Sequence, residues 1–304
     1  MADELKSIDF KPLGRDYPEA DTLRAVRHAG RAVLIVSRTT STPPVGAQTT
    51  FASLEAANAA GGWINVASVR QIVPAQPAWD VAADSRGQFQ IVYEKAGGAI
   101  NALVVRAPTG DTRVLTGEYS MKSFSLPRFA KPSEEAPSWV TAIVDNRTCV
   151  TLPLAQAGPY HELGECAEGM LVKTGLGFVF LFKKTVPGIV RSNNIAPGQL
   201  QAMIFGTDLR SSGRPVEVVA GTIFQFDADT VGGKLVVAAT TPGGLVIAST
   251  AAANLRFNRK EYAAPATLTS PAMLPATGGK VMLIALDKAG SSRAQIVATE
   301  ISVP

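Results

Sequence analysis

The feature that most limits what this chain can fold into is a strand–turn–strand layout that occurs six times. Its clearest copy spans residues 76–106, QPAWDVAADSRGQFQIVYEKAGGAINALVVR. An apolar entry strand at 79–83 runs into a polar turn, DSRG. A second strand, FQIVY, is rich in β-branched and aromatic residues and is followed by a turn ending in Gly97-Gly98. Short runs of this composition bounded by glycine and aspartate read as antiparallel strands. Corresponding second strands begin near Ala32, Trp139, Phe178, Leu235 and Val281, so with Phe89 the spacings are 57, 50, 39, 57 and 46 residues.

Repeats of about 50 residues, each supplying several short strands, cannot bury their faces singly and must pack against one another. Six of them over 304 residues predict an all-β, six-bladed β-propeller with four-stranded blades. A long β-sandwich also yields short strands at regular intervals. It would not place the strongest strand of every unit at a matched offset between two turns. The expected fold is therefore one domain over 1–304, with blades at roughly 21–73, 74–124, 125–168, 169–217, 218–264 and 265–304. The alternating segment at 5–11 is expected to pair beside the C-terminal strand at 294–302 as the outer strand of the last blade, closing the ring without a covalent bond.

Over its whole length the chain thus resembles the β-propeller superfolds, but no particular propeller family is matched. Trp79-Asp80 is the one Trp-Asp pair, and it stands in an entry strand rather than at a blade end. Gly232-Gly233 and Gly278-Gly279 precede second strands, unlike a kelch pattern, and Asp boxes of the sialidase type are missing. A propeller fold alone does not assign a function.

Several function classes are disfavoured by composition. Net charge is +4 with lysine and arginine scattered, which gives no nucleic-acid footprint. The longest apolar runs are far too short to span a bilayer as a helix. The two histidines, His28 and His161, lack partners at zinc spacing, and no nucleophile elbow occurs. No metal site is expected. Calcium is the one cofactor kept open, at the Asp227-Ala-Asp229 sequence before a glycine turn or at the similar turn at 84–87.

The chemistry-bearing pattern is a ring of charges. Arg38, Glu94, Asp145, Lys183 and Asp287 occupy matched positions at the ends of second strands, with Thr240 in the same place in the fifth repeat. They are expected on one face, as ligand-binding residues. Two functions follow. One is a binding or interaction propeller that recognises a protein or glycan through the loops of that face; the other is a hydrolase or lyase at the mouth of the central channel, which needs converging carboxylates.

Four further features are local. Residues 38–49, containing Pro43-Pro44, read as an unusually long loop, and 52–60 as a short helix or an alanine-rich strand. The basic, aromatic stretch 255–262 reads as an outer edge strand, where charge opposes edge-to-edge pairing. The two cysteines, Cys149 and Cys166, flank a hairpin; a two-residue turn at Ala157-Gly158 would set them opposite each other, within disulfide reach. Such a bridge favours an exported protein, periplasmic or secreted.

Overall fold

The computed structural model describes residues 6–13, 17, 19–28, 31–42, 46–55, 62–71, 77–83, 89–95, 98–105, 111–114, 121–131, 139–154, 159–175, 177–185, 197–251, 253–289 and 294–304. Two short N-terminal strands, β1 (Lys6–Ser7) and β2 (Lys11–Pro12), precede six antiparallel sheets. Blade one is β3 (Thr22–His28), β4 (Arg31–Thr42), β5 (Gly46–Glu55) and β6 (Ile64–Gln71). Blade two is β7 (Trp79–Ala83), β8 (Phe89–Lys95), β9 (Ala99–Val105) and β10 (Asp111–Val114). Blade three comprises β11 (Phe124–Phe129), β12 (Trp139–Val144), β13 (Thr148–Pro153) and β14 (His161–Glu165). Blade four comprises β15 (Glu168–Thr174), β16 (Gly177–Thr185), β17 (Gly198–Phe205) and β18 (Ser211–Glu217). Blade five holds β19 (Phe226–Val231), β20 (Lys234–Thr241), β21 (Gly244–Ala251) and β22 (Asn258–Ala263), and blade six β23 (Leu268–Pro275), β24 (Lys280–Asp287) and β25 (Gln295–Ser302).

The first strands β3, β7, β11, β15, β19 and β23 each touch the next, and β23 touches β3. That contact closes a ring of six blades, a β-propeller. All six repeat markers fall in the second strand of their blade, from Ala32 in β4 to Val281 in β24. Alternation within the strands explains the packing. Residues of one parity on a strand face one neighbouring blade and those of the other parity face the opposite neighbour, so the core is divided into six inter-blade layers. Leu34 and Val36 pack with Ile284 and Leu286 between blades one and six, whereas Val33 and Ile35 pack with Val81 and Ile91 between blades one and two. The other four gaps are filled in the same way. Local turn chemistry supports this layout: Gly232 (φ 56°) and Gly233 (φ 77°) form the two-residue turn joining β19 to β20, where both central residues need positive φ.

Three expectations require correction. The N-terminal segment divides between two blades. Lys11 and Pro12 pair antiparallel with Ala298 and Val297 of β25, while Lys6 and Ser7 pair parallel with Tyr262 and Ala263 of β22. Blade five is therefore five-stranded, and β1 covers the end of the basic strand β22 at Tyr262 and Ala263, leaving Asn258–Glu261 on the outer edge of the blade. Its Arg259 reaches the Val218 and Glu217 carbonyls of the preceding blade, so this charge on the edge also links two blades.

The long loop in blade one is a ladder instead. β4 and β5 stay paired from Val33–Glu55 out to Thr42–Gly46, because the threonine-rich run pairs Thr39 with Thr49 through their hydroxyls, 3.0 Å apart. Residues 52–55 continue β5 as strand; 56–60, 43–45 and the turn at 84–87 lie outside the described residues. The hairpin β13–β14 has a different register from the one expected. Thr151 faces His161, Val150 faces Glu162 and, after a shift in register, Cys149 faces Gly164 rather than Cys166; the two cysteines are nonetheless bonded, with Cα atoms 5.7 Å apart, and the expected turn residues 157–158 lie outside the described residues.

Candidate functional site: the axial mouth

Six first strands converging on one axis bring together side chains that are far apart in sequence. The result is a buried charge cluster centred on Arg128 of β11. Its guanidinium lies 2.8 Å from Glu168 of blade four, 3.0 Å from Asp227 of blade five and 3.5 Å from Asp80 of blade two. Arg24 of blade one pairs with Asp80 at 3.2 Å, and Lys183 of β16 pairs with Glu168 at 2.7 Å. Blade six enters through its backbone: Met273 N donates to Asp227 Oδ2 (2.9 Å), just as Phe129 N donates to Asp80 Oδ2 (2.8 Å). Three cations thus face three carboxylates. A buried charge is tolerated only when paired and hydrogen-bonded.

Electrostatics follow from that count. Burial by itself would depress the Arg128 guanidinium, but Asp80, Glu168 and Asp227 outweigh it and hold its pKa above the ordinary arginine value. Arg24 is pulled the other way, first by burial and then by the like charge of Arg128, against the attraction of Asp80. Burial opposes ionisation of Glu168, yet Lys183 and Arg128 keep its pKa below the usual carboxylate range. Arg128 also lies over the Phe226 ring and Arg24 over the Trp79 ring, with the guanidinium carbons 5.6 and 5.9 Å from the centroids.

Above the cluster a cavity of about 70 Å³ opens on the face where the first strands begin. Every blade lines it, for instance through Arg24, Trp79, Pro127, Glu168, Phe226 and Ser270. Its rim carries two residues in left-handed backbone, Leu126 (φ 50°) and Ser270 (φ 52°), each preceding a proline at a break in strand register. Their amides are capped by the preceding blade: Gln225 Oε1 accepts from Ser270 N (2.7 Å) and Glu94 Oε2 from Leu126 N (3.5 Å). Left-handed conformations in residues other than glycine persist only where surroundings impose them, and here the register breaks hold prolines against the cavity.

The charged ring sits around this mouth rather than in it. Asp287 pairs with Leu268 and Lys183 with Glu168, both at the starts of first strands. Glu94 N bonds to Ala78 O and Asp145 N to Ser123 O at the same level, and Arg38 follows Ser37, the partner of Thr22. Second strands lie one inter-strand spacing, roughly 4.8 Å, further from the axis, so their ends encircle the mouth at a larger radius. Lys183 alone among the five joins the axial cluster. Arg38 pairs with Glu19, Asp145 with Lys122 (2.9 Å), and Asp287 accepts from Thr267 Oγ1 (2.6 Å).

Asp80, Glu168, Arg24 and Arg128 carry no assignment from sequence, and Asp227 was expected only as a possible calcium ligand. The signal was nonetheless present: a charged residue inside an otherwise apolar entry strand, as in Trp79-Asp80, Phe226-Asp227 and Pro127-Arg128-Phe129, is anomalous unless paired. Asp227 of the proposed calcium sequence is instead held by Arg128 and Met273 N, and Asp229 Oδ1 accepts from Thr230 N. Among the described residues, no group of three or more His, Cys, Asp or Glu is arranged to hold a metal ion. His161 is exposed on β14, edge-on to Trp139.

The fold and the axial site define a six-bladed β-propeller with a charge-balanced mouth. No protein-family model and no curated protein matches the chain. Solved structures resemble it in fold. An alpha-L-arabinanase from Penicillium chrysogenum, complexed with arabinobiose, is 11% identical with a TM-score of 0.61, covering 97% of this chain and 98% of that one. A protein of unknown function from Dyadobacter fermentans is 9% identical with a TM-score of 0.63, covering 99% and 100%. A lectin in complex with alpha methyl fucoside is 9% identical with a TM-score of 0.50, covering 97% and 99%. At such identities the likeness is one of fold. Among the described residues, no helix is long and apolar enough to cross a membrane.

Proposed function

We propose that this protein is a binding propeller that holds a glycan at the axial mouth, and that the disulfide suits it to an oxidising, exported location. One observation carries the preference for binding over hydrolysis: each carboxylate converging on the axis is already committed to a cation. A glycosidase needs one carboxyl kept protonated as the acid, whereas Glu168 is held ionised. What faces a ligand is Arg24, the most exposed of the three cations, with Gln225, Ser270 and an apolar rim of prolines. This mixture suits a hydroxyl-rich ring with apolar faces. The glycan class is drawn from the arabinanase and the lectin that share the fold. Asp145, Asp287, Arg38 and Glu94 are proposed as outer contacts around the same mouth, with Lys183 fixing Glu168 beneath it.

The hydrolase reading rests on the same convergence of Asp80, Glu168 and Asp227, and one experiment separates the two. Arabino-, xylo- and fuco-oligosaccharides are titrated calorimetrically and, in parallel, incubated with the protein and assayed for new reducing ends. Binding without release, lost in Thr22→Trp, which fills the mouth, supports the binding reading. Release of reducing ends that Glu168→Gln abolishes would replace it with the hydrolase. If no glycan binds while a protein ligand is blocked by Thr22→Trp, the ligand class is corrected to protein.

A further inference from the structure

A second and larger cavity, about 380 Å³, lies away from the axis between blades three and four. Its origin is local. Blade three ends in the short strand β14, whose pairing with β13 shifts register between Cys149 and Val150, and β14 carries Gly164 at φ 126°. That backbone conformation suits glycine, and a Cβ built there would meet nothing within 4 Å. Beside it, blade four presents Phe180 and Phe182, which are buried, and Gln201, Met203 and Lys184, which are not fully covered. The disulfide from Cys149 to Cys166 anchors the connection from β14 into β15 and so holds the two walls of the gap together.

This side of the sheet presents one parity of two neighbouring strands. Phe180, Phe182 and Lys184 alternate on β16, and Met203 and Gln201 pair with Phe180 and Phe182 from β17. Phe180 and Phe182 stack with centroids 5.0 Å apart and planes 15° from parallel, giving the cavity an aromatic floor beside Met203. Lys184, Gln201 and Glu165 bring an ammonium, an amide and a carboxylate to its edge. Donors and acceptors are thus both available above an apolar floor; the Glu165 carboxylate is itself paired with Arg147, whose Nε donates to it at 2.8 Å. Cavities of this size and mixed lining are those in which small ligands are buried.

We infer that this inter-blade cavity is a second binding site, for one neutral monosaccharide unit, separate from the axial mouth. An uncharged ring with an apolar face for Phe182 and Met203 and hydroxyls for Glu165, Lys184 and Gln201 matches the lining. The inference rests on the glycan reading but adds a site, so one chain would engage two units of a branched or repetitive glycan and gain avidity from their linkage.

The probes are free L-arabinose, D-xylose and L-fucose, followed by saturation-transfer NMR and calorimetry. Met203→Trp fills the cavity; Lys184→Ala and Gln201→Ala remove edge donors from side chains that are not buried, which guards against a variant that fails to fold. The expected result is that at least one sugar binds wild-type protein and Thr22→Trp equally. Met203→Trp and the two alanine variants should weaken that binding about tenfold or more. Unchanged binding in Met203→Trp, or loss of all binding in Thr22→Trp, overturns the second site and leaves the axial reading standing. Absence of any monosaccharide binding also overturns it, whereas the axial reading then depends on the separate oligosaccharide titration.

Discussion

Replacing Arg128 by methionine keeps a long unbranched side chain at the axis but removes the charge that three carboxylates share. The consequences are unequal. Glu168 retains Lys183 at 2.7 Å, and Asp80 retains Arg24 at 3.2 Å and the Phe129 amide. Asp227 is left with the Met273 amide. At an effective dielectric constant of about 20, two unit charges 3 Å apart interact by roughly 5 kcal/mol. Removing one partner of a buried pair typically costs 3–5 kcal/mol, because the other charge stays buried. Arg128→Met should therefore cost about 3–5 kcal/mol near pH 7, a fall in Tm of about 6–10 °C at roughly 2 °C per kcal/mol for a chain of this size. Adding Asp227→Asn should recover much of that loss, since the uncompensated charge disappears with it. Guanidinium unfolding of wild type, both single variants and the double variant, followed by near-UV circular dichroism, yields the coupling energy. Costs that simply add, or an Arg128→Met penalty below about 1 kcal/mol, would refute the view that Asp227 depends on Arg128.

Three further outcomes are expected. Glu168 has its folded pKa below the unfolded value of about 4.3, so its contribution is complete above that pH and lost as pH falls through the folded pKa; the stability gap between wild type and Glu168→Gln should narrow from pH 5 to pH 3, and a pH-independent gap would contradict this. Replacing Cys149 and Cys166 by alanine opens a loop of sequence separation 17 and should lower stability by about 3 kcal/mol, measured by denaturation without reductant. Deleting residues 1–12 uncovers the edges of β22 and β25 together and should both lower Tm and promote association, read by light scattering; an unchanged Tm would mean that the ring does not need these strands.

The amino-acid sequence alone determined the six-fold layout, because everything that defines it is local. Alternating apolar residues, β-branched second strands such as 89–93 and glycine turns such as Gly232-Gly233 set strand and hairpin without reference to the rest of the chain. The cysteine pair was also legible, although its proposed geometry was not: Cys149 faces Gly164 rather than Cys166, since strand register follows the loop joining β13 to β14 and not the cysteines. Placement of the charged ring at second-strand ends followed from the same periodicity. What those residues touch did not, since Glu19, Lys122 and Thr267 reach them only through loop conformation. The axial cluster was decided by tertiary structure alone. Asp227 lies 99 positions from Arg128, and no local pattern relates them; only closure of six twisted sheets brings their side chains within 3.0 Å. The charges of Asp80, Arg128, Glu168 and Asp227 become tolerable inside an apolar core at the moment they meet, because a buried charge is stabilised by its partner's position and not by its own neighbours in sequence.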